Sequence, residues 1–257
     1  MFLRIRKVHL FPCSIFVIGD HQETDSISEG YEGHMTHKDD EVQALALCRK
    51  VDDHLYVGIA DLCEQKVNSQ LCGWATEADT IYANRFRRSH RRLQSLAARG
   101  LLRKLSSLLF QTTELTMSGP PNGPLMVSCD RPVWASISHC RSRIAVALSD
   151  RFVVGIDIEE INVTRDWRAI SAALGFPLTD QHNPSYFYTR WCIRECLIKI
   201  GIETEWRQLI TSLNPDQYGV KGTVNLEPTK SAIRFDAIHS DNFVTVVTAM
   251  PISPTLN

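Results

Sequence analysis

The sequence predicts an α+β fold with two similar halves that meet near residue 150. Two observations predict it. In residues 1–150, apolar runs of strand length stand before and after one long helical pattern, and residues 151–257 repeat the order of strand, helix and strands. No short tandem repeat or low-complexity tract suggests another division of the chain. We therefore expect these two segments to form a pseudo-twofold pair of α+β halves.

The composition is that of an ordinary globular protein. With 257 residues, of which 44% are hydrophobic and 22% charged, the chain is long enough to bury a sizeable core. Its formal net charge of -1 gives no general attraction to nucleic acid, so we expect no nucleic-acid partner. The eight cysteines include no C-x-x-C pair, which favours reduced thiols in a cytoplasmic protein over disulfides or a zinc site.

The N-terminal segment faintly imitates a signal peptide, because basic residues precede an apolar stretch. Pro12 interrupts that stretch, and no pair of small residues marks a cleavage site before Asp20, so "CSIFVIGD" (13–20) is better explained as a strand. No run approaches the roughly 18 to 20 apolar residues of a membrane helix, and we expect a soluble protein with no membrane partner. Residues 20–42 are polar and predict a long loop.

A strand at 54–61 is followed by a helical pattern over residues 84–110 in the first half. Leucine and alanine recur there at three- and four-residue steps, and the same segment carries Arg85, Arg87, Arg88, Arg91, Arg92, Arg99, Arg103 and Lys104. The pattern predicts an amphipathic helix with a basic outer face. Such a face is most often simply solvated, but it could also bind phosphate or an acidic partner.

The proline- and glycine-rich segment 118–125 predicts a connection that leads into two strands, "VWASISHC" (133–140) and "RIAVALSD" (143–150). In the second half, "VVGIDIEEIN" (153–162) predicts another strand. A helix is expected from the cap residue and proline at 183–184 to Gly201, since proline favours the first helical position. Three strands follow, at 222–227, 231–238 and 242–250.

Asp157 and Glu159 are the first candidates for chemistry. Side chains alternate along a strand, so these two carboxylates share one face with Gly155 and lie roughly 6.5 to 7 Å apart. Two carboxylates at that separation can converge on one divalent cation, and Gly155 leaves room for something to approach the backbone. The alternative is a strand with a solvated acidic face.

Glu195 and Lys199 are the next candidates, since they stand four residues apart on one helix face with Trp191 a turn earlier. They form either a surface ion pair or the polar lining of a site. Ser138 and His139, at the end of a strand, could donate to an anion. They cannot form a catalytic pair, because neighbours on a strand point to opposite faces, and no G-x-S-x-G turn supports a hydrolase.

Three of these segments together resemble the motifs of 4′-phosphopantetheinyl transferases of the surfactin-type and enterobactin-synthase-type branch. They are "SISHC" (136–140), "GIDIE" (155–159) and "WCIRECLIK" (191–199), in that order. The resemblance is dense over residues 134–200, and the basic helix resembles the arginine-bearing helix of the family's first half. It implies two similar α+β halves with the active site in the cleft between them.

The resemblance implies a reaction and a metal. The 4′-phosphopantetheine arm of coenzyme A would be transferred to a serine of an acyl or peptidyl carrier protein, giving the holo-carrier and 3′,5′-ADP. By motif position Asp157, Glu159 and Glu195 would hold Mg²⁺, which prefers oxygen ligands. Glu195 would also activate the carrier serine. Lys199 would contact the phosphate and help the leaving oxygen.

The resemblance also implies coenzyme A contacts, from Ser138, His139 and Arg99 to its phosphates. Two departures affect them. Arg194 stands where the family usually has lysine, and "NGP" (122–124) lacks the lysine of the family's G-K-P turn. We expect a cytoplasmic monomer. Carriers of siderophore, polyketide, nonribosomal peptide and fatty-acid synthases all stay open as substrates. The alternative is a non-catalytic coenzyme A or carrier-binding module of the same fold.

Overall fold

The computed structural model of the protein describes residues 5–10, 13–18, 46–63, 65–112, 115–119, 124–128, 132–175, 184–202, 210–216, 219–226, 231–240 and 242–252. The loop predicted over 20–42 lies outside these residues. Within the described part, the chain forms two antiparallel sheets and five helices, which confirms the α+β class.

The first sheet has eight strands in the order β1-β2-β3-β4-β8-β7-β6-β5. They are β1 (Ile5–Leu10), β2 (Cys13–Ile18), β3 (Ala46–Asp52), β4 (Leu55–Asp61), β5 (Thr116–Ser118), β6 (Leu125–Ser128), β7 (Pro132–Cys140) and β8 (Arg143–Ser149). Four of the predicted strands, β2, β4, β7 and β8, are confirmed. Strands β1, β3, β5 and β6 were not predicted, because short or polar runs carry little alternation.

Three helices accompany this sheet: α1 (Gln65–Cys72), α2 (Glu77–Ala83) and α3 (Ser89–Phe110). Of these only α3 was predicted, and it begins at Ser89 rather than at residue 84. Its small and apolar residues, among them Ala97, Leu101 and Leu105, are buried against the sheet. The two short helices span about two turns each, too few for a clear periodic signal.

The prediction of a basic outer face on α3 is wrong in part. Lys104 is only 1% exposed, and the side chains of Arg99 and Arg103 are 14% and 11% exposed. For Arg99 and Arg103 the reason is that α2 packs beside α3 and brings a carboxylate, Asp79, to them. Arg85, Arg87 and Arg88 are exposed, but they precede the helix.

The second sheet has five strands in the order β10-β11-β12-β13-β9. They are β9 (Phe152–Glu160), β10 (Ile210–Asp216), β11 (Gly219–Leu226), β12 (Ser231–Ser240) and β13 (Phe243–Pro251), with helices α4 (Trp167–Leu174) and α5 (Pro184–Lys199). Helix α5 packs on β9 and β13, begins at Pro184 as predicted, and ends before Gly201, whose φ of 81° suits glycine. Asn183 lies outside the described residues. Strands β9, β11, β12 and β13 confirm their predictions.

The two sheets pack face to face through an apolar layer. Strands β4 and β8 contribute Leu55, Val57, Ala145 and Ala147, and β9 contributes Val154, Ile156 and Ile158. This confirms the predicted alternation along β9, with its apolar face turned to the first sheet. The sheets hold eight and five strands, and a twofold relation between them stays a prediction. Within the described residues, no helix has both the length and the apolar character needed to cross a membrane.

Candidate active site between the two sheets

Asp157 is the buried centre of a polar cluster where β7, β9 and α5 meet. It is 6% exposed, and its Oδ1 accepts hydrogen bonds from Ser138 Oγ at 2.7 Å and from Lys199 Nζ at 2.9 Å. Its Oδ2 is also buried and has no hydrogen-bond partner among the residues that the structure describes. A buried carboxylate oxygen without a hydrogen bond costs free energy of folding. Such unsatisfied groups are often found at functional sites.

Gly155 explains how α5 comes so close to β9. A Cβ atom at this position would overlap the carbonyl oxygen of Cys196 in α5. The close approach that the sequence predicted at Gly155 is therefore made by the helix backbone itself. This contact sets the distance of α5 from the strand. Lys199, which follows Cys196 by one helical turn, is thereby placed next to Asp157.

Lys199 closes the cluster from the helix side. Its Nζ donates to the backbone oxygen of Ile156 at 2.6 Å as well as to Asp157, and its side chain is 29% exposed. Burial alone would lower the pKa of Lys199, but the Asp157 carboxylate outweighs burial and raises that pKa above its usual value. Lys199 is thus a fixed cation at neutral pH.

Ser138 and His139 point to different sides of β7, as the sequence predicted. The Ser138 hydroxyl donates its one proton to Asp157 and accepts from the backbone N–H of Ile158 at 3.4 Å. In this arrangement Ser138 supports Asp157 and β9. Its predicted contact with a coenzyme A phosphate stays a prediction, and it would require the hydroxyl to leave Asp157.

His139 lies on the other side of β7, against Arg91 of α3. Arg91 Nη1 is 2.7 Å from His139 Nδ1 and also contacts Nε2 of the same ring. Burial and the Arg91 charge lower the pKa of His139 to about 4. His139 is therefore neutral at physiological pH, and it can offer a phosphate a hydrogen bond but not a positive charge.

The carboxyl group of Glu159 has a pKa above the usual value of a glutamic acid. Burial and the neighbouring Asp157 charge raise the pKa of Glu159 to about 7, against the opposing effects of Arg165 and of a hydrogen bond from Trp191. The two carboxylates on this strand face thus repel each other in a poorly hydrated place. A cation between them would relieve that repulsion.

Glu195 shares the face of α5 that carries Trp191 and Lys199, as the four-residue spacing predicted. Its side chain is 30% exposed, and Arg194 Nη1 donates to its Oε1 at 3.2 Å. In the described part of the chain, no group of three acidic, histidine or cysteine side chains is placed so that it could hold a metal ion. The magnesium triad therefore stays a prediction.

A cavity of about 620 Å³ opens beside this cluster, between α3 and β7. Four cations line it, and two aromatic rings stand among them. These side chains are Tyr82, Arg85, Phe86, Arg91, Arg99 and Lys199. A second cavity, of about 390 Å³, shares Arg91 and His139 with the first and contains Glu159. Arg91 and His139 therefore lie where the two cavities approach each other.

The sequence prediction named Lys199, His139 and Arg99 in this region, and the structure brings all three to the larger cavity. It did not single out Arg91 or Asp79. The sequence did contain a pattern that includes Arg91, because positions 91, 95 and 99 are four residues apart and share one face of α3. In the structure all three line this cavity. Asp79 gave no such signal, because an acid in a short helix is common.

Comparison with known proteins gives a partial match. No family model matches the chain. The chain is similar to the 4′-phosphopantetheinyl transferases AcpT of Salmonella typhi and of Salmonella typhimurium strain LT2, each 29% identical over 126 residues. The match covers 46% of this chain and 62% of each relative, so it spans less than two thirds of the relatives' length. It supports a relation to phosphopantetheinyl transferases without separating their branches.

Proposed function

We propose that this chain is a 4′-phosphopantetheinyl transferase that moves the phosphopantetheine arm of coenzyme A to a serine of an acyl or peptidyl carrier protein. The observation that carries the proposal is the Asp157–Lys199 pair, which stands at the junction of the two sheets beside a cavity lined by cations. The partial similarity to the AcpT proteins supports the same conclusion.

The larger cavity suits the nucleotide end of coenzyme A. Its cations can meet the phosphates, and the Tyr82 and Phe86 rings provide apolar surface for a base. Arginine is well suited to phosphate because its planar guanidinium forms paired hydrogen bonds. Lys199 uses two of its three N–H donors on Ile156 and Asp157, which leaves one for a phosphate oxygen.

Asp157, Glu159 and Glu195 would hold Mg²⁺. The buried Oδ2 of Asp157 and the raised pKa of Glu159 both fit a cation at this place. Glu195 would have to leave Arg194, and a partly exposed ion pair of that kind contributes only about 0–1 kcal/mol. When bound, magnesium would neutralise charge on the phosphate oxygens of coenzyme A.

The reaction then has a role for each side chain. Glu195 accepts the proton of the carrier serine, and the serine oxygen attacks the phosphorus that bears the pantetheine arm. The bond from that phosphorus to the bridging oxygen breaks, and 3′,5′-ADP leaves. Lys199 donates to a phosphate oxygen as negative charge develops, while Arg91 and Arg99 hold the nucleotide in the cavity.

Mass spectrometry of carrier proteins tests the proposal. The full chain is incubated with coenzyme A, Mg²⁺ and apo carrier domains from siderophore, polyketide, nonribosomal peptide and fatty-acid synthases. We expect at least one carrier to gain one phosphopantetheinyl group, with release of 3′,5′-ADP, and a carrier whose acceptor serine is replaced by alanine to gain none. Binding of coenzyme A without transfer to any carrier would favour the non-catalytic module instead.

The proposal includes a cytoplasmic monomer. Cys63, Cys72, Cys140, Cys192 and Cys196 are free thiols in the structure, which agrees with a reducing compartment. Size-exclusion chromatography with light scattering tests the oligomeric state, and a dimer at micromolar concentration would contradict that part of the proposal.

A further inference from the structure

Asp79 is a buried carboxylate outside the polar cluster around Asp157. It lies at the start of α2 and is 4% exposed. Its Oδ2 accepts from Arg103 Nε at 2.7 Å and from Thr76, whose backbone N–H and hydroxyl are 3.0 and 2.9 Å away. Its Oδ1 faces Arg99 Nε at 3.7 Å. One carboxylate is thus surrounded by two arginines of α3.

The guanidinium groups of the two arginines lie in different surroundings. Arg103 donates to the backbone oxygen of Leu115 and is absent from the lining of the larger cavity. Arg99 lines that cavity and lies over the Tyr82 ring, with 3.9 Å from its guanidinium carbon to the ring centre. Asp79 and Tyr82 therefore confine Arg99 from two directions, while its position in the cavity wall leaves it accessible to a ligand.

A confined arginine binds an anion better than a mobile one. Ordering a long side chain on binding costs conformational entropy, and that cost is avoided where the protein has already ordered the side chain. One carboxylate between two guanidinium groups leaves a net charge of +1, so the cavity stays attractive to phosphate. Burial would raise the pKa of Asp79, but its hydrogen bonds with Arg103 and Thr76 lower it, so the carboxylate stays charged.

We propose that Asp79 is a positioning residue that holds Arg99 against Tyr82, ready to bind a phosphate of coenzyme A. The inference rests on the proposed function, because that function supplies the ligand. A purely structural role is the competing explanation, since Asp79 and Thr76 also form the capping box of α2. The experiment must therefore separate the cap from the contact with Arg99.

Calorimetric titration of the full chain with coenzyme A and with 3′,5′-ADP makes this separation. Asp79→Asn keeps the shape of the side chain and removes its charge, and we expect it to weaken the Kd for both ligands roughly tenfold. Thr76→Ala removes the hydroxyl of the cap but leaves the Asp79 carboxylate, and we expect its Kd to stay within about twofold of wild type. In the transfer assay Asp79→Asn should raise the KM for coenzyme A with kcat unchanged.

A double-mutant cycle completes the test. If Asp79 acts through Arg99, Asp79→Asn has no further effect on the Kd once Arg99→Gln is present. Equal weakening by Thr76→Ala and Asp79→Asn, or full additivity in the cycle, would overturn the inference. Asp79→Glu moves the carboxylate by one methylene and serves if Asp79→Asn does not fold. A severalfold weaker Kd is expected for it, and an unchanged Kd also overturns the inference.

Ligand binding by the wild-type protein distinguishes a failure of the proposed function from a failure of the proposed role of Asp79. If it binds neither coenzyme A nor 3′,5′-ADP, the proposed function fails and the role of Asp79 fails with it. If wild type binds both and Asp79→Asn binds them equally well, only the role of Asp79 fails.

Discussion

Lys199 of helix α5 reaches Asp157 of strand β9, with 2.9 Å between Nζ and Oδ1. The ion pair links the helix to the strand at the point where the two sheets meet. It also holds the acid that is proposed to bind magnesium beside the cation that is proposed to bind phosphate. Stability and activity are therefore tied to the same pair, and single substitutions in and around it can separate the two.

Asp157→Asn should lower the free energy of unfolding by about 1–3 kcal/mol, because charge-assisted hydrogen bonds from Ser138 and Lys199 are lost in a buried place. It should also abolish phosphopantetheine transfer. Urea unfolding gives the first quantity and carrier mass the second. Glu160→Gln is the matched control, since Glu160 pairs with the exposed Arg141, and its change should stay within about 0–1 kcal/mol. Full transfer by Asp157→Asn would contradict the metal assignment.

Lys199→Met and Asp157→Asn should not be additive. Either change alone leaves one partner of the pair without its counterpart, whereas the double variant removes both. We expect the double variant to be more stable than the sum of the single changes predicts, by about 0.5–3 kcal/mol. Urea unfolding of all four proteins measures this difference. Additive effects would mean that the pair contributes nothing beyond its separate members.

Glu195→Gln should separate catalysis from folding. Because its side chain is 30% exposed and, within the described chain, forms its ion pair with the neighbouring Arg194, the free energy of unfolding should change by at most about 1 kcal/mol. Transfer should fall roughly 10²- to 10⁴-fold if Glu195 accepts the serine proton. Single-turnover kinetics at saturating coenzyme A measure the loss. A rate close to wild type would remove Glu195 from the proposed mechanism.

His139 should make the protein less stable in acid. Its folded pKa of about 4 lies below the value near 6.5 of an unfolded histidine, so below about pH 6.5 only the unfolded chain gains the proton. The free energy of unfolding should therefore fall as pH drops, by about 2 kcal/mol from His139 between about pH 7 and about pH 4.5. Urea unfolding of wild type and His139→Gln isolates this contribution. The same pH dependence in both proteins would contradict it.

Gly155→Ala should disturb the contact between α5 and β9. The added Cβ meets the backbone oxygen of Cys196, which cannot rotate away, so the cost should reach at least the upper end of the roughly 1–3 kcal/mol typical of overpacking. Gly58→Ala is the control, because its Cβ would meet the Leu105 side chain, which can adjust. We expect a clearly larger drop in Tm for Gly155→Ala. Equal drops would contradict the proposed role of Gly155.

The elements with strong periodic or positional signals were predictable. Strand β9, with its apolar and acidic faces, and helix α5, with proline at its start and Gly201 after its end, lie where the sequence predicted them. Short helices and the strands β1, β3, β5, β6 and β10 were not predictable, because about two turns of helix or a short or polar strand leaves no clear period. The stripe of Glu195 and Lys199 was also visible, since spacing along a helix is a local property.

The sequence by itself determined which side chains share a strand or a helix face, because alternation and helical repeat act over a few residues. The tertiary structure alone decided what those faces meet. It placed the Ser138 hydroxyl and the Lys199 ammonium group on Asp157, and it buried Asp79 between Arg99 and Arg103. These contacts join residues that are far apart in the chain. They follow from how α2, α3, α5 and the sheets pack, and the local spacing of residues cannot specify them.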